Sequence, residues 1–395
     1  MLLPATMLAV GFALGSQTYA SASTQVDAGA SRTKRPEQMA QPFVRRAVGL
    51  GPVISDKFGG LIFGWSIDEN GSDGLLSEVT PPSGDPFTSV VEAFDQSTGK
   101  ITKVIARQRS GATGGRELFV DSILANDVGL IDDEHDVNGE RDDVFDVMAP
   151  VTGNKFTGTW AVPPGNGFLL WGLADQESDP NSVMITTTYP VRNQPPAVQL
   201  VVANVPANQL LYQLGPPSGD AINYPYLVAE DVQTKHAYVP GANYQSETVF
   251  IDYNTVTGRV SNNFVAPAFS GPVMGMAIDS AKHVMCTTTQ QNFSVQFYDI
   301  ATRKQTLVVQ IPNAEGEGQA GSSIAADSIR HLFLVTQPNS LRGGSEIYVY
   351  SESGAIVESL AGFDFGEGSG IQVNAATRTG FVPGAEPNQV QSFTY

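Results

Sequence analysis

The chain has 395 residues, with 40 acidic and 22 basic side chains and a formal net charge of −18 at pH 7. A summed field of that sign repels phosphate groups, so nucleic acid and anionic membrane surfaces are excluded as expected partners. A chain of this length exceeds an ordinary single domain unless it is built from repeats that bury their core between neighbours. Because repeats are present, we expect one closed array.

The N-terminal segment carries a targeting pattern. Residues 2–14 form an apolar run too short to span a bilayer, and an Ala-x-Ala pattern ends at Ala22. We therefore predict a signal peptide over residues 1–22 and a secreted protein, periplasmic if the host is a Gram-negative bacterium. No later stretch is long and apolar enough to span a membrane.

Residues 23–40 are predicted to be a linker or propeptide. They are rich in Ser, Ala and Gly, as flexible linkers are. The adjacent Lys34 and Arg35 resemble a dibasic processing site, and a plain basic linker is the alternative reading of the same residues.

One pattern recurs along the rest of the chain: an aromatic-ended β run, a polar turn and a second β run. Its clearest copies are residues 94–100, 253–259 and 298–304, and weaker copies open at Phe145 and Tyr350. The steps are 51 residues from Asp95 to Asp146, 45 from Asn254 to Asp299 and 52 from Asp299 to Ser351. Such periods are typical of propeller blades and solenoid coils.

The units divide further into four short β segments joined by tight polar turns. Tight hairpin turns favour antiparallel pairing over a right-handed parallel β-solenoid, because parallel coils need crossover connections. We therefore predict an all-β, seven-bladed β-propeller of four-stranded antiparallel blades over residues 41–395. Its inner strands are expected to begin near Leu61, Glu117, Gly167, Tyr226, Gly275, Ser323 and Gly370.

The last unit ends at Tyr395 before a fourth strand can form. The β run of residues 43–48, at the other end of the chain, can supply that strand. Closure of this kind leaves no open sheet edge and converts an open array into a ring.

The recurring Asp-x-x-Thr-Gly-Lys turns, as in residues 95–100, resemble those of the seven-bladed propellers of the NHL and YVTN repeat kind, some of which are lactonases. The resemblance implies the fold. It does not imply an activity, because the same fold hosts binding modules, lactonases and lyases.

The residues that could act as catalysts do not form a recognisable set. His236, His283 and His331 each follow Lys or Arg in turns that open the second strand of successive blades, and we predict that they are turn residues. No Gly-x-Ser-x-Gly elbow marks a nucleophile. Residues 316–321 spell Gly-x-Gly-x-x-Gly, but a β run follows them where a helix is needed, so no nucleotide cofactor is predicted.

One acidic segment has the spacing of a calcium loop. Glu134, Asp136, Asn138 and Asp142 occupy positions one, three, five and nine, and Gly139 occupies position six. Oxygen ligands at those positions suit a hard cation of calcium size. The loop resembles those of calcium-binding propellers and EF-hands, except that Glu replaces the first Asp and the twelfth position lacks Glu. A solvated acidic loop is the alternative interpretation.

Acidic residues also occur in the segments that lead into the inner strands. In a propeller these segments line one mouth of the central channel, where carboxylates can bind a cation, an amine or sugar hydroxyls. The predicted ligand-binding residues are Asp220, Glu317, Asp364 and Glu367.

Two hypotheses about function follow. The first is a secreted, monomeric and non-enzymatic binding module with a structural calcium ion and a protein, carbohydrate or small-molecule ligand. The second is a metal-assisted hydrolase or lactonase, in which a calcium ion in the channel polarises a carbonyl and a carboxylate activates water.

Overall fold

The computed structural model describes most of the chain from Val44 onward. The described residues are 44–55, 58, 60–69, 71–80, 88–109, 117–124, 128–137, 140–148, 158–161, 170–175, 179, 182–189, 197–204, 207, 209–215, 220–221, 227–243, 247–261, 264–265, 273–289, 294–312, 323–337, 344–365, 370–386 and 388–395. Within these residues every regular element is a β-strand. The predicted signal peptide and linker lie outside them.

The strands of the N-terminal half are β1 (Val44–Ala47), β2 (Gly49–Ser55), β3 (Leu61–Ile67), β4 (Asp73–Thr80), β5 (Thr88–Asp95), β6 (Ile101–Arg109), β7 (Glu117–Leu124), β8 (Val128–Val137), β9 (Glu140–Met148), β10 (Gly158–Ala161), β11 (Leu170–Asp175), β12 (Ser182–Tyr189), β13 (Ala197–Asn204) and β14 (Gln209–Leu214).

The strands of the C-terminal half are β15 (Asp220–Ala221), β16 (Ala229–Asp231), β17 (His236–Asn243), β18 (Thr248–Asn254), β19 (Arg259–Val260), β20 (Phe264–Val265), β21 (Val273–Asp279), β22 (Val284–Thr289), β23 (Ser294–Asp299), β24 (Lys304–Gln310), β25 (Ile324–Asp327), β26 (Leu332–Gln337), β27 (Ser345–Ser351), β28 (Ile356–Phe363), β29 (Gln372–Asn374), β30 (Thr379–Pro383) and β31 (Gln389–Thr394).

These strands form the successive antiparallel sheets of a β-propeller, which confirms the predicted architecture. Consecutive strands pair within each sheet, and the innermost strand of one sheet contacts that of the next, as in the series β16, β21, β25, β29 and β3. Leu61 and Glu117 begin inner strands as predicted, and β21 begins at Val273, close to the predicted Gly275.

The predicted fold class, a seven-bladed propeller of four-stranded antiparallel blades, is nevertheless wrong. Six sheets have four strands along their hydrogen-bonded order, whereas the β25–β28 sheet has five because β1 joins its outer edge. The pairing of β1 with β28 is parallel. In the β15–β20 sheet each edge strand is broken into two segments, β15 and β16 on one side and β19 and β20 on the other.

The predicted closing strand is also wrong. Residues 43–48 do not complete the last sheet, since Val44–Ala47 pairs with β28 of the preceding sheet. The closing strand is β2, Gly49–Ser55, which pairs with β31. The principle of closure by the N-terminal chain holds, but the segment that performs it comes later in the sequence.

Small residues explain why β2 fits against β31. A Cβ atom on Gly51 would lie 2.4 Å from Ser392 Oγ, and that hydroxyl donates to the carbonyl oxygen of Pro52 at 2.8 Å. Ile54, fully buried, anchors the strand in a cluster with Phe94 and Phe381. The sequence Val-Arg-Arg-Ala of β1 offers no comparable apolar anchor.

Aromatic residues of several repeats form the core between neighbouring sheets. Tyr298 packs on Phe250 of the preceding sheet with ring centroids 5.1 Å apart, and Tyr350 packs on Phe297 at 6.1 Å. Phe94 of the first sheet packs on Phe381 of the last at 6.4 Å, which joins the two ends of the ring. Buried aromatic contacts of this size dominate core stability.

Candidate functional site

The topology gives the propeller two different ends. Because strands alternate in direction, the turns after the first and third strands of a sheet lie at one end, and the connections after the second and fourth strands lie at the other. In the C-terminal sheets the former are four-residue turns, such as residues 280–283 and 300–303. The latter vary more, from four residues at 290–293 between β22 and β23 to the long segment of residues 311–323 between β24 and β25. We call these the tight-turn end and the long-connection end.

The predicted ligand-binding residues belong to the long-connection end. Asp364 is exposed and follows β28 directly, and Asp220 is the first residue of β15. Glu317 and Glu367 belong to connections that precede β25 and β29, and both lie outside the described residues. The prediction that these carboxylates bind a ligand therefore stays a prediction.

The predicted calcium ligands lie around a β-hairpin at the same end. Glu134 and Asp136 are in β8, and Asp142 is in β9, where it pairs with His135. Asn138 is outside the described residues. The backbone at Glu134, Asp136 and Asp142 is thus paired strand rather than loop. Calcium binding by these residues stays a prediction.

Among the residues whose side chains the structure describes, no group of three or more His, Cys, Asp and Glu side chains is close enough to hold a metal ion. The buried aspartates that bond to neighbouring sheets lie at the tight-turn end.

Two histidines bridge neighbouring sheets at this end. The Nδ1 atom of His283 lies 2.7 Å from Oδ2 of Asp231, and the Nδ1 atom of His331 lies 2.7 Å from Oδ2 of Asp279. Both aspartate side chains are fully buried, whereas the imidazoles are about one-third exposed. Since an ionised carboxylate can only accept, each imidazole donates its Nδ1 proton to the preceding sheet.

The second oxygen of each aspartate organises its own turn. Oδ1 of Asp231 accepts from the backbone N–H of Gln233 at 3.1 Å, and Oδ1 of Asp279 accepts from Ala281 at the same distance. Such Asx turns explain why Asp ends these inner strands. One buried carboxylate therefore fixes a turn and joins two sheets at once.

The junction with the last sheet uses a different donor. Oδ2 of Asp327 accepts from the hydroxyl of Tyr395 at 3.0 Å and from Nη1 of Arg330 at 3.0 Å. Burial, followed by the charge of Asp327, raises the pKa of the Tyr395 phenol, so it stays a hydrogen-bond donor at neutral pH. The guanidinium of Arg378 lies 5.9 Å from the centre of its ring.

His236 differs from the other two histidines, although the sequence places it in a similar turn. The left-handed turn position, with φ of 53° to 58°, is filled by Lys235, His283 and His331 in successive sheets. His236 is one residue later, in β17, and contacts Asp252 of its own sheet at 2.5 Å. The prediction that all three histidines occupy equivalent turn positions is wrong for His236.

Asp252 is a second point of contact between sheets. Its Oδ2 atom accepts from Nη2 of Arg303, in the next sheet, at 2.7 Å. On the other side of the imidazole, Nδ2 of Asn254 lies 3.1 Å from Nε2 of His236. Oδ1 of Asn254 accepts from the N–H of Thr257 at 2.7 Å, which fixes the amide orientation. Nε2 of His236 is therefore the acceptor and Nδ1 carries the proton.

These histidine–aspartate pairs have the geometry that orients catalytic imidazoles, but their context is structural. Each inter-sheet pair is separated by 52 residues, slightly more than one repeat, and recurs in successive sheets. Each carboxylate also caps a turn. Recurrence around a ring is typical of scaffold bonds, whereas a catalytic centre gathers different residues at one place.

The sequence interpretation identified the histidines as turn residues and missed their aspartate partners. The usable signal was the spacing, because bridging partners are separated by slightly more than one repeat. The separation is 52 residues for the bridges of His283 and His331 and 51 residues for Arg303 and Asp252. The lone cysteine, Cys286, is buried. Burial raises the pKa of its thiol well above the usual value, which makes the thiolate scarce.

Comparison with known proteins does not assign the chain to a family. No protein-family model matches the chain, and a search of curated proteins finds no significant match. The resemblance to NHL and YVTN repeats therefore stays a prediction about family, beside a propeller fold that the structure shows. The part of the chain that the structure describes contains no helix long and apolar enough to cross a membrane.

Proposed function

We propose that this chain is a secreted, non-enzymatic interaction module that binds its ligand at the long-connection end of a rigid β-propeller. The observation that carries the proposal is the difference between the two ends. At the tight-turn end, Asp231, Asp279, Asp327 and Asp252 are fully buried and engaged in turns and bridges between sheets. Those carboxylates stabilise the fold.

The opposite end has the features of a binding surface. Several of its connections are longer than four residues, and long connections on a rigid scaffold commonly carry binding residues. Asp364 is exposed there, and Asp220 and the β8–β9 hairpin belong to the same end. Together with Glu317 and Glu367 they give it an acidic character, which suits a cation, an amine or the hydroxyls of a sugar.

The proposal includes a structural calcium ion at the β8–β9 hairpin. Its support is the number of carboxylates near one turn, since Glu134, Asp136 and Asp142 all lie within the paired strands that flank residues 138–139. Carboxylate oxygens are the ligands that calcium prefers. Secretion is supported by the signal-peptide pattern of residues 1–22.

The test is a thermal-shift screen of the full chain against oligosaccharides, primary amines and divalent cations including calcium. A ligand present at about a hundredfold excess over its Kd adds about 2.7 kcal/mol to the free energy of unfolding. We expect a hit whose shift is lost in E317Q/E367Q and retained in E69Q/E352Q, which removes two carboxylates from turns of the tight-turn end.

The same screen separates the alternatives. A shift that both double variants lose equally reports net charge and contradicts a site at the long-connection end, and a complete absence of hits contradicts the proposed ligand classes. A calcium shift lost in Asp136→Ala assigns the ion to the hairpin, whereas a shift unchanged by that substitution excludes the hairpin.

A further inference from the structure

The outer edge of the β25–β28 sheet is occupied by the chain's own N-terminal strand. Val44–Ala47 lies parallel to β28, with Arg45 opposite Ser359 and Arg46 opposite Leu360. The backbone N–H of Val48 continues the pairing to the carbonyl of Ala361 at 3.1 Å. Strand addition to a sheet edge is a general mode of peptide recognition, in which backbone bonds give affinity and side-chain pockets give specificity.

Two carboxylates bind the two arginines of β1. Glu346 is 1% exposed, and its Oε2 atom accepts from the hydroxyls of Tyr348 at 2.7 Å and Ser359 at 3.2 Å. Its other oxygen, Oε1, accepts from Nη2 of Arg45 at 2.7 Å. The two hydroxyls therefore hold a buried carboxylate in place with one oxygen directed at the edge strand, ready for a cation.

The second carboxylate, Glu358, binds the arginine on the opposite face of β1. Arg46 binds Glu358 through both Nε and Nη2, a two-point contact that matches the planar guanidinium fork. Consecutive residues of a strand point to opposite faces, so Glu346 and Glu358 together recognise an Arg-Arg pair in an extended chain. A single lysine or a helical peptide cannot reproduce this geometry.

The described side chains of β1 are not anchored in the core. Arg45, Arg46 and Ala47 are all exposed, and the strand has only four residues. By contrast, the next strand, β2, is anchored by the fully buried Ile54. The first strand can therefore leave the edge while β2 keeps the ring closed. Its departure leaves the buried Glu346 carboxylate without the guanidinium, which favours rebinding of a strand with the same chemistry.

We propose that the edge of β28 is a binding site for an arginine-bearing extended segment of a partner protein, and that β1 is its displaceable intramolecular occupant. The site goes beyond the ligand site proposed above, because it uses a sheet edge and two carboxylates that are not among the predicted ligand-binding residues. Each proposal can fail without the other.

The test measures binding of a fluorescent peptide with the sequence of residues 41–48 to the full chain. The R45A/R46A variant weakens the chain's own strand, so we expect saturable binding that is roughly tenfold tighter than binding to the unmodified chain, whose tethered strand competes at high effective concentration. The matched control is R259A/K304A, which removes two exposed cations elsewhere and is expected to bind as the unmodified chain does.

Further variants show which carboxylates act. Adding E346Q to R45A/R46A is expected to weaken binding by roughly tenfold or more, and adding E358Q, at the more exposed residue, by less. Circular dichroism shows whether the E346Q variant is folded. If it is not, the E358Q variant still tests whether a carboxylate of the edge contributes to peptide binding. A scrambled peptide of the same composition is expected not to bind. Hydrogen exchange at residues 358–361 should slow when the peptide is bound.

Three results would each overturn the proposal: no binding to R45A/R46A, equal binding of the scrambled peptide, or binding to the unmodified chain as tight as to R45A/R46A. Binding that survives both E346Q and E358Q would also overturn it, because the attraction would then come from the general negative charge of the protein.

Discussion

Single buried carboxylates connect the sheets of this propeller. Asp231 and Asp279 each cap a turn with one oxygen and accept from a histidine of the next sheet with the other. A buried carboxylate that loses one donor retains the full cost of its desolvation. At the residue scale, the stability of the ring therefore depends on histidine donors, which the sequence predicts only to be turn residues.

The bridge at His331 can be tested by substitution with asparagine, which tolerates the left-handed backbone at φ 58°. We expect His331→Asn to lower the free energy of unfolding by about 1 to 2 kcal/mol, because Oδ2 of Asp279 loses its imidazole donor. Denaturant unfolding measures it. Lys235→Asn is the matched control, with the same φ and an exposed side chain, and should change the free energy by less than about 0.5 kcal/mol.

A second residue-scale prediction concerns pH. Burial, then the charges of Asp95 and Asp68, raise the pKa of the Asp73 carboxyl. A raised pKa means that Asp73 favours the fold only when protonated, and that this contribution is lost as the pH rises through the folded-state pKa. At pH 7 the ionised group is therefore unfavourable.

We expect Asp73→Asn to raise the free energy of unfolding by about 0.5 kcal/mol at pH 7, after screening of a partly exposed charge. The gain should shrink below the ordinary carboxyl pKa of 3.8, where Asp73 is protonated in both states. Denaturant unfolding at both pH values checks this. Glu352→Gln makes the same change of charge in another sheet, and an equal gain there would attribute the effect to net charge.

At the scale of the element, turn chemistry was predictable and strand register was not. The Asp-x-x-Thr-Gly segment at residue 95 and the Asn-x-x-Thr-Gly segment at residue 254 form turns in which Gly99 and Gly258 adopt φ of 66° and 61°. Arg303 takes the equivalent position at 56°. Glycine is preferred there because it has no Cβ. The acidic spacing of residues 134–142 was instead interpreted as a loop, whereas β8 and β9 pair through it.

At the scale of the whole molecule, the N-terminal chain ties two sheets together. The strand β1 extends the sheet of β28, and after the single residue Val48 the strand β2 completes the sheet of β31. The packing of Phe94 on Phe381 continues the contact between the first and last sheets. Without β2 the outer edge of β31 would be open, and open edges promote aggregation.

Two truncations separate the roles of these strands. A chain beginning at Gly49 lacks β1 only, and we expect it to remain a folded ring with a free energy of unfolding lower by about 2 kcal/mol. A chain beginning at Phe58 also lacks β2 and the buried Ile54, and should unfold or aggregate. Thermal unfolding and gel filtration measure both, and equal behaviour of the two chains would contradict the assignment of β2 as the closing strand.

The sequence by itself determined the all-β class, the propeller architecture and the starting points of several inner strands, because these depend on local signals: alternating apolar residues, turn residues and a regular period. The tertiary structure decided which N-terminal strand closes the ring, why one sheet has five strands, and which carboxylates meet His283, His331, Arg303 and Arg45. These contacts join residues one repeat or nearly a whole chain apart, as with Arg45 and Glu346 at a separation of 301 residues. Local patterns carry no information about such pairs, since only packing of the closed ring brings them together.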